Sequence, residues 1–346
     1  MHRLLVSALL AFPGQLAAQQ TPTTTVSTRP VAEQPAAAGA AAPAYRTEAA
    51  PVIDGRDDDP AWQHAATIDD FHGFDPVEGA EPRFRTEARV AYDERNLYVL
   101  VRMYDAHPDS IVGLLSRRDV HTPSDWIFVG VDSYHDRRTG YVFAVNPAGV
   151  KMDSYIFNDG EEDDSWDGVW DAAARVDSLG WVAELRVPLS QLRFPPGTEH
   201  TFGFAMKRDI ARLNESVVWP QLSKKKAGNT SQWGDLAGLA GLGSPRRLEV
   251  TPYTVTKNTT KSLPDGRYGR NQLGTAGADI KYGVTSNLTL DATINPDFGQ
   301  VEADPAQLNL TAYETFFQEK RPFFLEGTGI FRFDLNCNDG MCSGLF

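Results

Sequence analysis

From about Pro51 onward, short runs rich in Val, Ile, Tyr, Phe and Trp recur, separated by clusters of Gly, Pro, Asp and Asn. No segment there sustains a 3.6-residue apolar period. Runs of this length with turn residues between them predict strands, here over 87–92, 97–104, 126–132, 141–146, 151–157, 172–176, 181–187 and 201–208. Asp93-Glu94-Arg95-Asn96 joins the first two, and Arg137-Arg138-Thr139-Gly140 joins the 126–132 and 141–146 runs. In 181–187 the apolar residues alternate but for one swap, which suits a strand with one wet face. Many short strands at this spacing predict an all-β chain built on an antiparallel β-sandwich.

The composition narrows the classes further. With 33 Lys+Arg against 46 Asp+Glu the net charge is −13, which argues against nucleic acid as a partner, because phosphate binding needs clustered cations. Lys224-Lys225-Lys226 is the basic run, and it reads as a solvated loop. No stretch reaches the roughly 18–20 apolar residues of a spanning helix. A membrane β-barrel stays open, since its strands are short and alternate in polarity.

The first residues read as an address. Met1-His2-Arg3 is basic, 4–12 is apolar, Pro13-Gly14 breaks the run, and Leu16-Ala17-Ala18 offers small residues. That layout predicts a secretory signal peptide over 1–18, and hence export. Residues 19–45 are dominated by Ala, Thr and Pro and read as a disordered linker. Cys337 and Cys342, with four residues between them, agree with export: an oxidising compartment permits a local disulfide between them, and the segment has too few ligands for zinc.

Several landmarks carry a family resemblance. Pro51-Val52-Ile53-Asp54-Gly55 with Asp59-Pro60-Ala61-Trp62 resembles the opening of family 9 carbohydrate-binding modules. Val90 to Val99, Asp125 to Asp132, and Trp181 to Leu192 with its internal Glu184 resemble the later landmarks, in order. The resemblance implies a family 9-like (DOMON-like) sandwich over 46–235, sugar rings clamped by Trp, and structurally bound calcium.

The residue chemistry supports the same expectation. A sugar ring offers apolar C–H faces to aromatics and hydroxyl edges to carboxylates. Trp126 follows Asp125 at a strand start, while Trp166 and Trp170 lie among acidic residues, so these three are the candidate sugar-stacking side chains. Each has core packing as its alternative; for Trp62 and Trp181 core packing is the preferred reading. Asp159, Glu161, Glu162, Asp163 and Asp164 supply the oxygen ligands that calcium takes, although without EF-hand spacing, and a solvated acidic loop is the other reading.

Catalysis has less support. Glycoside hydrolysis needs two carboxylates about 5–10 Å apart across a cleft, which linear sequence does not reveal. There is no Gly-x-Ser-x-Gly elbow, His-Glu-x-x-His motif or phosphate loop, and no two of the seven His stand at i, i+4. The expected function is therefore binding of a polysaccharide or oligosaccharide in catabolism or uptake. The alternatives are a glycosidase or its subunit, and a transport scaffold with a non-binding sandwich.

Beyond a Gly-rich joint at 236–247 the pattern changes. Ala276, Ala278, Ile280 and Tyr282 alternate with Gly277, Asp279 and Lys281, and Leu288, Leu290, Ala292 and Ile294 alternate with Thr289, Asp291 and Thr293. This dyad pattern fits either an outer-membrane hairpin or a hairpin over a soluble core. Thr311 to Glu314 reads as a capping box. The motifs at 295–304 and 319–327 resemble an exported bacterial family with a family 9-like domain followed by an uncharacterised, barrel-forming outer-membrane domain. With the export signal, that resemblance implies the periplasm or outer membrane of a Gram-negative-type bacterium. A barrel needs at least about eight strands. Residues 248–346 hold three or four strand signals, so they are expected to be the first strands of an incomplete barrel in a C-terminally truncated chain.

Overall fold

The computed structural model describes residues 40–243, 248–262, 267–284 and 289–295. The signal segment, the linker up to residue 39, the 311–314 capping box, the motifs beyond Asn295, and Cys337 with Cys342 lie outside the described residues.

The chain enters the fold through β1 (Ala41–Pro43) and β2 (Tyr45–Arg46). A one-turn helix α1 (Pro60–His64) and β3 (His72–Asp75) follow. The body then runs through β4 (Thr86–Tyr92), β5 (Asn96–Tyr104), β6 (Trp126–Asp132), β7 (Gly140–Val145), β8 (Lys151–Phe157) and β9 (Glu161–Asp163). It closes with β10 (Asp171–Asp177), β11 (Gly180–Pro188), β12 (Glu199–Ile210), β13 (Glu215–Trp219) and β14 (Gly234–Ala240). All eight strands expected in the body are present. The linker end and the joint are corrected: residues 41–43 and 45–46 already pair in sheets, and 236–240 belong to β14. Leu236 and Leu239 of that segment are core residues, so its glycines interrupt a strand instead of replacing one.

Two sheets form the sandwich. One has nine strands, in the order β1-β14-β12-β6-β7-β8-β9, with β13 and β3 branching from β12; the other has five, β10-β11-β5-β4-β2. Period-2 alternation sends Ile127, Val129, Val131, Tyr141, Phe143 and Val145 from the first sheet against Val99, Val101, Trp181, Ala183 and Leu185 from the second, one continuous core.

The outer face of the five-stranded sheet is also dry, contrary to the expectation for 181–187. Trp62 of α1 packs with Ala91, Tyr98, Leu100 and Val182 on that face. Full burial of such an indole is worth roughly 4–6 kcal/mol by area. Glu184 lies there too, fully buried, and accepts from Trp62 Nε1 at 2.8 Å and from the backbone N–H groups of Asp54 at 2.9 Å and Gly55 at 2.7 Å. Two of the sequence landmarks thus meet on one carboxylate. Burial pushes this carboxyl up, and the indole and backbone donors pull it down. Trp62 and Trp181 are core, as expected.

A second buried ion ties the sheets together. Arg208 of β12 is fully buried and donates across the core to Tyr104 O at 2.9 Å, Thr86 Oγ1 at 3.0 Å and Arg85 O at 3.2 Å.

Residues 248–295 add an open three-stranded antiparallel sheet of β15 (Leu248–Ser262), β16 (Tyr268–Gly283) and β17 (Thr289–Ile294). The expected hairpin is there, with Ile280 opposite Ala292 and Tyr282 opposite Leu290. Among the described residues no barrel closes. No described helix is long and apolar enough to cross a membrane, which says nothing of strands.

Candidate functional site

The outer face of the nine-stranded sheet carries the site. In β6, β7 and β8 the outward positions are Phe128 and Gly130, Val142 and Ala144, and Met152 and Ser154. Register brings them into two rows: Lys207–Phe128–Ala144–Met152, and Ala205–Gly130–Val142–Ser154. Small residues at the centre with larger ones at the margin make a shallow trough.

Two loops wall it. On one side Trp233 lies flat over Gly130 and Gly140, where an added Cβ would stand only 2.6 and 2.8 Å from the indole Cη2. On the other, His121 stacks on Trp126 with ring centroids 5.6 Å apart and on Phe128 at 6.4 Å. Lys207 Nζ sits 5.3 Å from the Phe128 centroid and pairs with Asp209 at 2.9 Å. The half-open cavity has a volume of about 310 Å³, with Phe128, Val142, Ala144 and Met152 as its floor and Asp119, Glu162 and Asp164 around its edge. A neighbouring cleft of about 440 Å³, holding Lys207 and Asp209, shares His121 with it.

The electrostatics are uneven. Asp153, buried at the cavity edge, accepts from Arg118 and from Gly168 N, so its charge is matched. Asp119 is pushed up by burial and by Asp153 beside it. Glu162 is pushed up by burial, then by Asp164. Glu162 is exposed at its strand edge while its carboxylate sits in the cleft, so the upward direction follows from the cleft. No described donor reaches the carboxylate of Glu162 or Asp164.

The sequence-derived candidates fall elsewhere. Trp126, Trp166 and Trp170 were expected to present open faces; all three are buried, at 0%, 8% and 2% exposure. Trp126 does lie on the sheet's outer side, but under His121, with its Nε1 donating to Thr122 O at 3.0 Å. Trp166 and Trp170 turn inward and pack edge-on against Phe143. Their acidic neighbours point out because a crossing segment buries alternate residues. Each of the seven tryptophans is at most 8% exposed. Native emission is therefore expected at the blue end and shielded from acrylamide, with a red shift only on unfolding; strong quenching of the native state would contradict this packing.

The five carboxylates proposed for calcium are not brought together. Glu161–Asp163 is a strand, so Glu162 faces the trough while Glu161 and Asp163 face away. Asp159 accepts from the backbone N–H groups of Asn229 and Ser231, Glu161 from Asn158, and Asp163 from Ser165. Among the described residues no three His, Cys, Asp or Glu side chains converge as a metal set. This donor arrangement does not fit the ion.

Sequence reasoning missed Phe128, His121, Met152 and Lys207. The signal for Phe128 was present: it stands two residues after Trp126 in a strand, hence on the same face.

Residues 53–239, more than half of the chain, match the Carbohydrate family 9 binding domain-like family. The chain belongs to that family. Residues 244–334 match a second family, described as Domain of unknown function (DUF5916). Among solved structures, a family 9 carbohydrate-binding module from Caldicellulosiruptor kristjanssonii in complex with glucose is 17% identical, with a TM-score of 0.41, over 57% of this chain and 95% of that one. A family 9 carbohydrate-binding module from Caldicellulosiruptor kristjanssonii in complex with cellotriose is 18% identical, with a TM-score of 0.41, over 57% of this chain and 93% of that one. A Bacteroides uniformis protein assigned to carbohydrate binding is 14% identical, with a TM-score of 0.44, over 57% and 98%. No curated protein matches the chain.

Proposed function

We propose that this chain is an exported envelope protein whose sandwich holds a saccharide in the trough between His121 and Trp233, serving capture of polysaccharide for breakdown or uptake. Membership of the family 9 binding domain-like family over 53–239 carries the reading. The trough supports it, because an apolar floor ringed by acceptors complements a ring with C–H faces and hydroxyl edges. The test is calorimetric titration of the full chain against a panel of neutral and charged oligosaccharides. Phe128→Ala removes the aromatic part of the floor from a half-buried position, and is expected to weaken any hit about tenfold. Affinity unchanged in that variant, with circular dichroism also unchanged, would move the site away from the trough.

A membrane-associated role for the C-terminal region is favoured by one observation. Register stacks Leu248/Tyr282/Leu290, Val250/Ile280/Ala292 and Pro252/Ala278/Ile294 on a single face of the three-stranded sheet. Leu248, Val250, Leu290 and Ile294 of that face are exposed. The opposite face carries Glu249/Lys281/Asp291 and Thr251/Asp279/Thr293. One apolar and one polar face suit a sheet with lipid on one side and water on the other. Flotation of the full chain with liposomes is the expected result; recovery of all protein in the lipid-free fraction would count against it.

A further inference from the structure

We infer that the trough selects saccharides bearing a protonated amino group, the chemistry of a 2-amino-2-deoxy sugar in a polysaccharide. This rests on the carbohydrate reading above and narrows it to one substrate class.

Three observations carry it. First, the cavity edge is one-sided in charge. Asp119, Glu162 and Asp164 open onto it; Arg118, 3.5 Å from Asp119, is shared with Asp153 and Asp167, and Lys207, at the margin, is held by Asp209 and the Phe128 ring. Second, no described group donates to the carboxylate of Glu162 or Asp164, so both are open to donors on a ligand. Third, Ser154 is 93% buried, lines the cavity, and its hydroxyl has no hydrogen-bond partner among the described residues. It stands on the same face as Glu162, since Val142 pairs with Ser154 and Ile156 with Glu162. Its hydroxyl lines the cavity and is available to a ligand hydroxyl or amine.

The competing ligands follow from the same arithmetic. A uronic acid would bring a carboxylate against three others whose nearby cations, Arg118 and Lys207, are already paired with Asp153, Asp167 and Asp209, and like charges at this range are costly. A neutral sugar would give the two unpaired carboxylates only hydroxyl donors. A hydroxyl on a carboxylate is already a charge-assisted bond; a protonated amine adds to it the attraction of opposite charges, worth about tenfold in affinity at this partly solvated edge. A ring stacked on Phe128 and Met152 would have Glu162 and Asp164 at its rim, where a ring amine could meet them.

The experiment uses the full chain and four ligands of equal length: glucosamine, N-acetylglucosamine, glucose and glucuronate oligomers, with oligolysine as a cation lacking a sugar. The glucosamine oligomer is expected to bind about tenfold tighter than its acetylated or glucose counterparts at low salt, with the preference shrinking as salt shortens the screening length. Glu162→Gln should remove most of that preference. Ser154→Ala should weaken glucosamine and glucose oligomers alike, by a few-fold. Equal affinity for the glucosamine and glucose oligomers would overturn the amine selectivity while leaving carbohydrate binding standing. Oligolysine binding as tightly as glucosamine oligomer would also overturn it, as attraction to net charge alone. No binding to any saccharide would overturn both readings.

Discussion

Replacing Glu184 with alanine is expected to lower the stability of the sandwich by about 4 kcal/mol. The carboxylate is fully buried and holds the Trp62 indole N–H together with the backbone N–H groups of Asp54 and Gly55; Arg56 N, 3.3 Å away, also donates to Asp54 Oδ1 and keeps that partner. Removing it strands three donors, each costing about 1–3 kcal/mol if left dry, and opens space beneath Trp62. Glu184→Gln preserves the shape but turns two N–H donors towards groups that are themselves donors, so its loss should fall between wild type and alanine. Urea unfolding of the full chain, followed by far-UV circular dichroism, reads both. A loss under about 1 kcal/mol for the alanine variant would mean that the 53–62 cover is held by packing alone.

The second large effect belongs to Arg208→Met. The side chain volume is kept, but the cross-core bonds to Tyr104 O, Thr86 Oγ1 and Arg85 O are lost. Asp125, fully buried, also loses a compensating charge. Breaking a buried charge arrangement of this kind costs about 3–5 kcal/mol. Burial draws the guanidinium down to about 10, so it still carries its charge at neutral pH.

The pH dependence follows from Asp125, whose carboxyl burial already pushes up while Arg208 and Arg212 pull it down. Without Arg208 it should rise further. The folded variant then holds a proton that the unfolded chain releases, so its deficit grows as pH rises through and above the ordinary carboxylate range. The variant should lie closest to wild type near about pH 4 and furthest at neutrality. A deficit independent of pH would assign the loss to hydrogen bonding and packing, not to the uncompensated acid.

The sandwich was legible because period 2 survives burial: each of the eight expected runs became a strand, and Asp93 accepts from Arg95 and Asn96 in the turn predicted there. Apart from β13, whose Val217-Val218-Trp219 run carried strand propensity, the strands that escaped notice lacked that signal. β9 hides in an acidic run, β14 in a glycine-rich one, and β1 in Ala and Pro, with pairing partners far along the chain supplying what propensity does not. The site was misread for a related reason. Acidic neighbours suggested that Trp166 and Trp170 were wet, but in a crossing segment the direction of each side chain is set by tertiary packing. Gly168 leaves just enough room for the Trp166 ring, since a Cβ there would stand 2.6 Å from it. The trough needed four strands in register before Phe128, Ala144 and Met152 became neighbours, and register is not written in any one of them.

The parallel pairing of β1 with β14 has a mechanical consequence. Ala41 lies beside Asp235 and Pro43 beside Ala237, with Asp235 N donating to Ala40 O and Ala44 N to Ala237 O. The chain enters at one end of this ladder and leaves at the other. Tension drawn between residue 40 and residue 241 therefore runs along the two strands in opposite senses and loads their bonds together, in shear, instead of unzipping them singly. A domain gripping an insoluble polymer while held at its ends would resist that pull at its own entry and exit.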